Sequence, residues 1–364
     1  SPAIAGGTIW SHPLRTAVNH YQERVGLQGH IIDSLVLAKV LDLILMMGGT
    51  FDLEDVHIGK TREEPSHTRI RIQAASRTLL DDILKAIQPH GASIEREADC
   101  RTDGAPADGV LPDDFYATTH LPTQIRLNGQ WLDVDRIEMD LAIAVSEAGF
   151  VAQAVPMGEV RRGDQIVIGR EGVRVIPLQR PRERDVFGFM ESQVSAERPH
   201  AHIIADVATR MRQMRERHRE RQRDSHVLLA GGPAIIHAGG REALTWLIEQ
   251  GFIHILFCGN ALAAHDMEAD LFGTSLGYGL TAGRTVLYGH EHHLRTINRI
   301  RSIGSIEAAV TSGVIKHGIM AACVRQGVSV VMAGTIRDDG PLPGVITDSV
   351  LAQSAMRAMI PGVG

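Results

Sequence analysis

Apolar and polar positions fall into regular periods from residue 24 onward, and those periods define the first elements. Arg24–Ile31 reads as a strand. Leu35–Met47 follows helical spacing, with Leu37, Val40, Leu41, Ile44 and Leu45 on one face. Gly48-Gly49 ends that helix, and Phe51–Ile58 is a second strand. Thr68, Ile70, Ile72 and Ala74 alternate with Arg69, Arg71 and Gln73, the signature of a half-buried strand. Ser76 is placed to cap a helix whose stripe is Leu79, Leu80, Ile83, Leu84 and Ile87, with Asp81 and Asp82 expected in its first turn. Pro89 and Gly91 close it, and Ser93–Ala98 is a fourth strand. The order β-α-β-β-α-β predicts a ferredoxin-like α+β domain over 24–104. Residues 1–23 show no period and are expected to form an arm.

Residues 101–124 are rich in Gly, Pro and Asp, and 125–180 read as short strands, among them 165–169 and 172–176. A small β-rich unit over 105–182 is expected, ending in a linker at 177–184. A long helix follows, with Ser195 as its cap and Ile203, Val207, Met211 and Met214 as its buried edge. Arg215–Asp224 mixes arginine with Glu, Gln and His, which suits a solvated helix end. Strands at His226–Ala230, Ile253–Cys258 and Ser329–Ala333 then alternate with helices at Arg241–Gln250, Ile306–Gln326 and Ser349–Met359. That alternation predicts a Rossmann-like parallel-sheet domain over 183–364. The fold class expected is α/β: an N-terminal ferredoxin-like domain, a small β-rich unit and a C-terminal Rossmann-like domain.

The formal net charge of -6 argues against a general nucleic-acid or anionic-membrane surface. Cys100, Cys258 and Cys323 have neither metal-type nor disulfide-type spacing, which suits a reducing compartment. No apolar run approaches the roughly 20 residues that span a bilayer, and no secretory leader is legible at the start. A cytoplasmic location is therefore expected.

The chemistry is concentrated at strand ends. The turn Gly231-Gly232-Pro233-Ala234 through His237 follows a strand, where glycines let backbone approach a pyrophosphate, although the spacing is not G-x-G-x-x-G. Gly259-Asn260-Ala261 ends the next strand, where a ribose hydroxyl needs an acceptor. Asn260 is one candidate, with Asp266 or Glu268 as competitors, and a helix cap is the plainer role for Asn260. Thr274 and Ser275 lie in a hydroxyl-rich loop. Gly289–His293 gathers three histidines and a glutamate without a remote ligand, so no metal is expected and His293 is a candidate to touch substrate or cofactor. Gly334-Thr335-Ile336-Arg337-Asp338-Asp339 follows the last strand, and its paired carboxylates can attract an ammonium group or act as a base. Lys60 and Arg162 are candidates to hold a carboxylate, with Asp108, Thr118, Thr119 and Arg337 as further polar groups near a substrate.

The strings GHIIDS (29–34), HIGK (57–60), ADGVLPDDFYATTHLPT (107–123), IEMD (137–140), GGPAIIHAGG (231–240), CGNALAAHDMEADLFGTSLG (258–277), GHEHHL (289–294) and AGTIRDDGPLPGVITD (333–348) occur in order. Through them the chain resembles the lysine-oxoglutarate reductase/saccharopine dehydrogenase conserved-region family, and within it the archaeal-type ornithine cyclodeaminases. The likeness runs from about residue 24 to the C-terminus. It implies an NAD-dependent, redox-neutral ammonia-lyase in which the Cα hydride of L-ornithine passes to NAD, the δ-amine closes the ring, ammonia leaves and the hydride returns to give proline. It also implies a homo-oligomer, a dimer or tetramer. The arginine dihydrolase half of the related fusion proteins is absent from this sequence, so arginine hydrolysis is not expected. An opine- or saccharopine-type dehydrogenase and a non-catalytic sensor of NAD or an amino acid are the competing readings.

Overall fold

Alternation in Ser66–Ala74 becomes a strand whose Ser66, Thr68, Ile70, Ile72 and Ala74 are all buried. This strand organises the first of two compact units, residues 1–96 and 97–364. The structure is a computed structural model and describes residues 21–29, 31–32, 35–59, 64, 66–94, 98–146, 151–176, 201–220, 225–275, 278–279, 289–334 and 341–360.

In the first unit the elements are β1 (Tyr21–Gly29), α1 (Val36–Met46), β2 (Thr50–His57), β3 (Ser66–Ala74), α2 (Arg77–Ile87) and β4 (Ser93–Ile94). The antiparallel order is β2-β3-β1-β4, which is the ferredoxin-like arrangement. Val25, Leu27, Ile70 and Ile72 pack with Val40, Ile44, Leu80, Ile83 and Ile87 of the two helices, so both helices cover one face. The Ser76 side chain accepts from the Leu79 N–H at 3.1 Å, as its position predicts. Asp81 and Asp82 lie beyond the first turn, and Asp81 instead pairs with Arg77 one turn back at 3.1 Å. Leu35, left-handed at φ 58°, precedes α1 without a side-chain cap bond.

The second unit begins with a curled, mixed seven-stranded sheet. Its strands are β5 (Arg101–Gly104), β6 (Thr123–Leu127), β7 (Gln130–Asp135), β8 (Ala142–Val145), β9 (Ala152–Val155), β10 (Gln165–Ile168) and β11 (Val173–Val175), in the order β11-β6-β7-β9-β8-β10-β5. Helix α3 (Ala201–Arg219) follows. Its expected buried edge holds only toward the C-terminal half: Ile203 and Val207 are exposed. Met211 packs on the core, and the Arg215 guanidinium lies 4.1 Å from the Phe252 ring centroid. The Ser195 cap and the 177–184 linker lie outside the described residues.

The last part comprises β12 (Leu228–Gly231), α4 (Ala234–His237), α5 (Arg241–Glu249), β13 (Ile255–Gly259), α6 (Asn260–Phe272), β14 (Thr274–Ser275), β15 (Tyr278–Gly279), α7 (Gly289–Ile303), α8 (Ile306–Thr311), α9 (Ile319–Gln326), β16 (Ser329–Ala333) and α10 (Ser349–Met359). Strands β12, β13 and β16 are parallel in sequential order. The expected single helix over 306–326 is two, because Gly313 (φ 75°) and Gly318 (φ 115°) break it. Asn260 does not cap α6; Gly259 holds the cap position and Asn260 is the first helical residue. One core runs from Leu111, Phe115, Val155 and Ile166 through Leu256, Leu262, Ile297 and Ile319, so the segments read as a β-rich unit and a Rossmann-like unit share their interior. Among the described residues no helix is long and apolar enough to cross a membrane.

Candidate functional site

Two adjacent parallel strands, β12 and β13, end on glycine, and a glycine directly follows the third, β16. Gly231 pairs with Cys258 and Gly259 with Ala333, and Gly334 follows directly. An added Cβ on Gly232 would meet nothing within 4 Å, and one on Gly259 would meet only the Ala333 carbonyl oxygen at 3.7 Å. Carboxyl ends of parallel strands are where open α/β sheets take ligands. Helix α6 starts at this edge with no side-chain cap bond, so the N–H groups of its first turn are the unsatisfied donors that suit an anion. By contrast α4, behind the Gly231-Gly232-Pro233 turn, is a single turn.

The loop from β16 to α10 is anchored at both described ends. The Gly334 N–H donates to the Ile346 carbonyl at 2.8 Å, and the Leu342 N–H donates to Asn260 Oδ1 at 3.0 Å. Arg301 donates to the Pro341 and Gly109 carbonyls at 2.7 and 2.5 Å. Thr335, Arg337, Asp338 and Asp339, and likewise Lys60, lie outside the described residues. Asn260 and Ala261 sit at the start of α6 beside the anchored loop, and Asn260 is buried.

Asp266 faces another task. It is fully buried, accepts from Arg241 Nε at 2.8 Å and takes the Ile319 and Met320 N–H groups at 2.9 and 2.8 Å. Burial pushes its carboxyl up, and Arg241 with the two N–H groups opposes that. Both oxygens are thus committed to joining α5, α6 and α9, which corrects its reading as a ribose acceptor. Thr118 is corrected similarly: fully buried, it donates to the Glu138 carbonyl at 2.6 Å and accepts from Leu141 N–H at 3.0 Å. Thr119 accepts from Leu121 N–H at 3.3 Å. Asp108 and Arg162 do meet, but through the Arg162 backbone N–H at 2.9 Å, and both side chains are exposed.

A polar constellation runs from the buried His265, Glu268, Thr274 and Ser275 out to the half-buried His292 and His293 and the exposed His237. His237 of α4, His265 of α6 and His293 of α7 form a row, with ring centroids 5.3 and 6.2 Å apart. His237 Nδ1 meets Ser275 Oγ at 3.2 Å, and His293 Nε2 meets Asp140 Oδ2 at 3.5 Å. Glu268, fully buried, accepts from His265 Nδ1 and from the Thr274 hydroxyl, each at 2.8 Å, and Thr274 Oγ1 meets His292 Nδ1 at 2.7 Å. Burial, and then the neighbouring His265, hold His237 below the usual imidazole range. Buried polar groups cost free energy unless paired, so this network is held together by its mutual hydrogen bonds. Helix α7 is fastened to the curled sheet by Glu291, which pairs with Arg170 and, at 2.8 Å, with Arg295. Arg295 also donates to the Asp113 and Phe115 carbonyls at 2.8 and 3.2 Å.

Thus the structure brings His237, Thr274, Ser275 and His293 together, with Gly231, Gly232, Pro233 and Ala234 leading into His237. Sequence reasoning missed His265 and Asp140 and left Glu268 only as a ribose competitor. A His-x-x-Glu pair on one helix was the available signal for the first and third. For Asp140, the IEMD string was the signal, and the residue holds a left-handed φ of 68° that a non-glycine rarely adopts. Among the described residues no group of three or more His, Cys, Asp or Glu is arranged to hold a metal ion.

Comparison with known proteins places this geometry. Residues 22–121 match the LOR/SDH bifunctional enzyme conserved region. Residues 122–204 match the first region, and 205–364 the Rossmann-fold region, of the C-terminal part of arginine dihydrolase ArgZ-like proteins. The chain is 45% identical over 337 residues to the ornithine cyclodeaminase of Methanothermobacter thermautotrophicus, covering 92% of this chain and 80% of that relative. It is 37% identical over 354 residues to the bifunctional arginine dihydrolase/ornithine cyclodeaminase AgrE of Nostoc sp., covering 94% of this chain and 50% of AgrE. The solved ternary complex of AgrE with ornithine and NAD+ is similar with a TM-score of 0.78 at 34% identity, over 95% of this chain and 48% of that one. The chain therefore spans about half the length of AgrE.

Proposed function

The chain belongs to the ornithine cyclodeaminase family, and from that premise we propose that it converts L-ornithine to L-proline and ammonia with bound NAD. The observation that carries the reading is the glycine-ended edge of β12, β13 and β16, next to the anchored loop that bears Asp338 and Asp339. This edge fits a dinucleotide: backbone without Cβ at Gly231, Gly232, Gly259 and Gly334, and an uncapped 13-residue helix opening at Asn260. Gly231, Gly232, Pro233, Ala234 and His237, with Gly259, Asn260 and Ala261, Thr274 and Ser275, and Gly334 and Thr335, would hold NAD. When bound, NAD supplies an acceptor for the Cα hydrogen with its electron pair and returns both, so the reaction is redox-neutral.

The protein's residues have three tasks. The α-ammonium must lose a proton before the Cα hydrogen can leave, and Asp338 or Asp339 is a base placed after a strand end. The other aspartate would attract the δ-ammonium and fold the side chain inward for ring closure. Arg162 and Arg337 are the cations proposed for the substrate carboxylate. Water must be kept from the imine, which the apolar core bordering the strand ends favours.

Incubation of the purified protein with L-ornithine and NAD tests this. Equimolar proline and ammonia without net NADH is the expected result, and D338N or D339N should lower kcat by about 10²–10⁴-fold. Steady NADH from ornithine without proline would replace the lyase by a dehydrogenase.

A further inference from the structure

Arg295, Asn298 and Arg301 recur at three-residue spacing on one side of α7, and each grips the backbone between β5 and β6. Arg295 donates to the Asp113 and Phe115 carbonyls, Asn298 exchanges two hydrogen bonds with Leu111, and Arg301 Nε donates to the Gly109 carbonyl. The two arginines differ in counter-charge. Glu291 neutralises Arg295 at 2.8 Å. Among the described residues Arg301 has no carboxylate partner: its hydrogen bonds all go to backbone carbonyls, and its Nη2 makes none. Gly109, left-handed at φ 67°, leaves the room that Nη2 occupies. Arg301 is half-buried, and burial pulls its guanidinium below the ordinary value. A cation withdrawn from water in this way is stabilised by an anion.

Two hydrogen bonds place this cation at the strand-end edge. Arg301 Nη1 donates to the Pro341 carbonyl at 2.7 Å, and the N–H of the next residue, Leu342, donates to Asn260 Oδ1 at 3.0 Å. The oxygen and nitrogen of one peptide group are about 2.3 Å apart, so Nη1 lies within about 8 Å of the first residue of α6. An oxyanion that takes hydrogen bonds of about 3 Å from the first-turn N–H groups and from Arg301 fits that gap. The pyrophosphate of a dinucleotide brings two negative charges. The helix end offers about half a positive charge, and none of the residues assigned to NAD above is a permanent cation. We propose that Arg301 is the cation that pairs with the pyrophosphate of bound NAD, with Nη2 and the second Nη1 proton donating to its oxygens. The inference rests on NAD being held at this edge, as assigned above. The same guanidinium holds the Pro341 carbonyl, so the cofactor and the described end of the loop after β16 share one anchor.

The test is the dissociation constant of NAD, measured by titration calorimetry on wild type and R301Q, with ADP and adenosine as competitors. R301Q should weaken NAD about 10–100-fold, the range for a hydrogen-bonded charge pair, with KM for ornithine at saturating NAD within about threefold. ADP carries the pyrophosphate and adenosine does not. The wild-type preference for ADP over adenosine should therefore fall at least about tenfold in R301Q, whereas a general loosening of the fold weakens both alike. R301K should recover part of the affinity. If R301Q does not fold, G109A decides the matter: its Cβ displaces Nη2, and the ADP preference should fall as well. A folded R301Q, or failing that G109A, with NAD affinity and ADP preference within about threefold of wild type overturns the proposal. If KM for ornithine instead rises more than about tenfold, the anion is the substrate carboxylate and the pyrophosphate pairing is likewise overturned. Loss of the ADP preference in a protein whose wild type makes no proline would support the pairing and overturn only the reaction assigned above.

Discussion

Replacing Asp266 by Asn keeps the shape of the side chain and removes its charge, which isolates what that carboxylate does. In the native protein it caps the start of α9 through the Ile319 and Met320 N–H groups and pairs with Arg241 at the start of α5. Arg241 reaches further, to the Asp266 and His317 carbonyls at 3.1 and 2.9 Å. The Asp266 side chain is 0% exposed and that of Arg241 17%, so neither charge can recover hydration locally. Removing one partner of a buried pair costs about 3–5 kcal/mol. Because an amide offers one oxygen where the carboxylate offers two, one buried N–H also loses its acceptor, at about 1–3 kcal/mol. D266N should therefore lower stability by about 4–8 kcal/mol, and at roughly 2–4 °C per kcal/mol for a unit of this size the melting temperature should fall by about 8 °C or more. Thermal and urea unfolding followed by circular dichroism measure this, with NAD affinity determined below the transition. R241M should be similarly damaging, and the D266N/R241M double variant should lose less than the sum of the two. A D266N protein within about 1 kcal/mol of wild type, but with NAD affinity reduced more than tenfold, would refute the structural role and restore Asp266 as a ribose acceptor.

Three further outcomes are expected. Gly109 has φ 67°, and an added Cβ would lie 1.9 Å from Arg301 Nη2. G109A should displace Arg301 from the Pro341 carbonyl and lower kcat by at least about tenfold while the far-UV spectrum is retained; unchanged turnover would show that this anchor does not matter. Burial pushes the Cys258 and Cys323 thiols up to about 12 and that of Cys100 up to about 11. Native protein at pH 8 should therefore resist thiol reagents at all three until denaturant is added, and rapid labelling of any of them would contradict this. Burial, then His218 and His226, lower the His254 imidazole to about 4 from an ordinary 6.5, and its Nδ1 lone pair accepts the Val227 N–H at 3.0 Å. The unfolded chain takes this proton first, so the stabilisation is complete above about pH 6.5 and is lost as the pH falls toward 4. The urea midpoint should drop between pH 7 and pH 5, and H254N should flatten that slope.

Local patterns carried much of the fold. Alternation in Ser66–Ala74 and the Ser76 cap were legible because each depends on residues within one turn or one strand. Helix α7 was not legible. Its buried Leu294, Ile297 and Ile300 are interleaved with arginines, and Glu291, Thr296 and Asn298 are buried polar residues whose partners are elsewhere. Asn298, for example, exchanges two hydrogen bonds with the Leu111 backbone, at 2.8 and 3.0 Å, across 187 positions. Expecting Ile203 and Val207 to be buried failed for the converse reason: spacing names the apolar face of a helix but not whether another element covers it.

The sequence by itself determined most of the elements, the ferredoxin-like order, the glycines at the strand ends and the family. Only the tertiary structure decided that Asp266 and Thr118 serve the scaffold, and that Glu268, His265, Thr274 and His292 form one hydrogen-bonded network. Periodicity and capping are set by free energies that act over a few neighbouring residues. The role of a polar side chain depends on which groups from distant segments share its burial, and that is fixed only when the core closes around them.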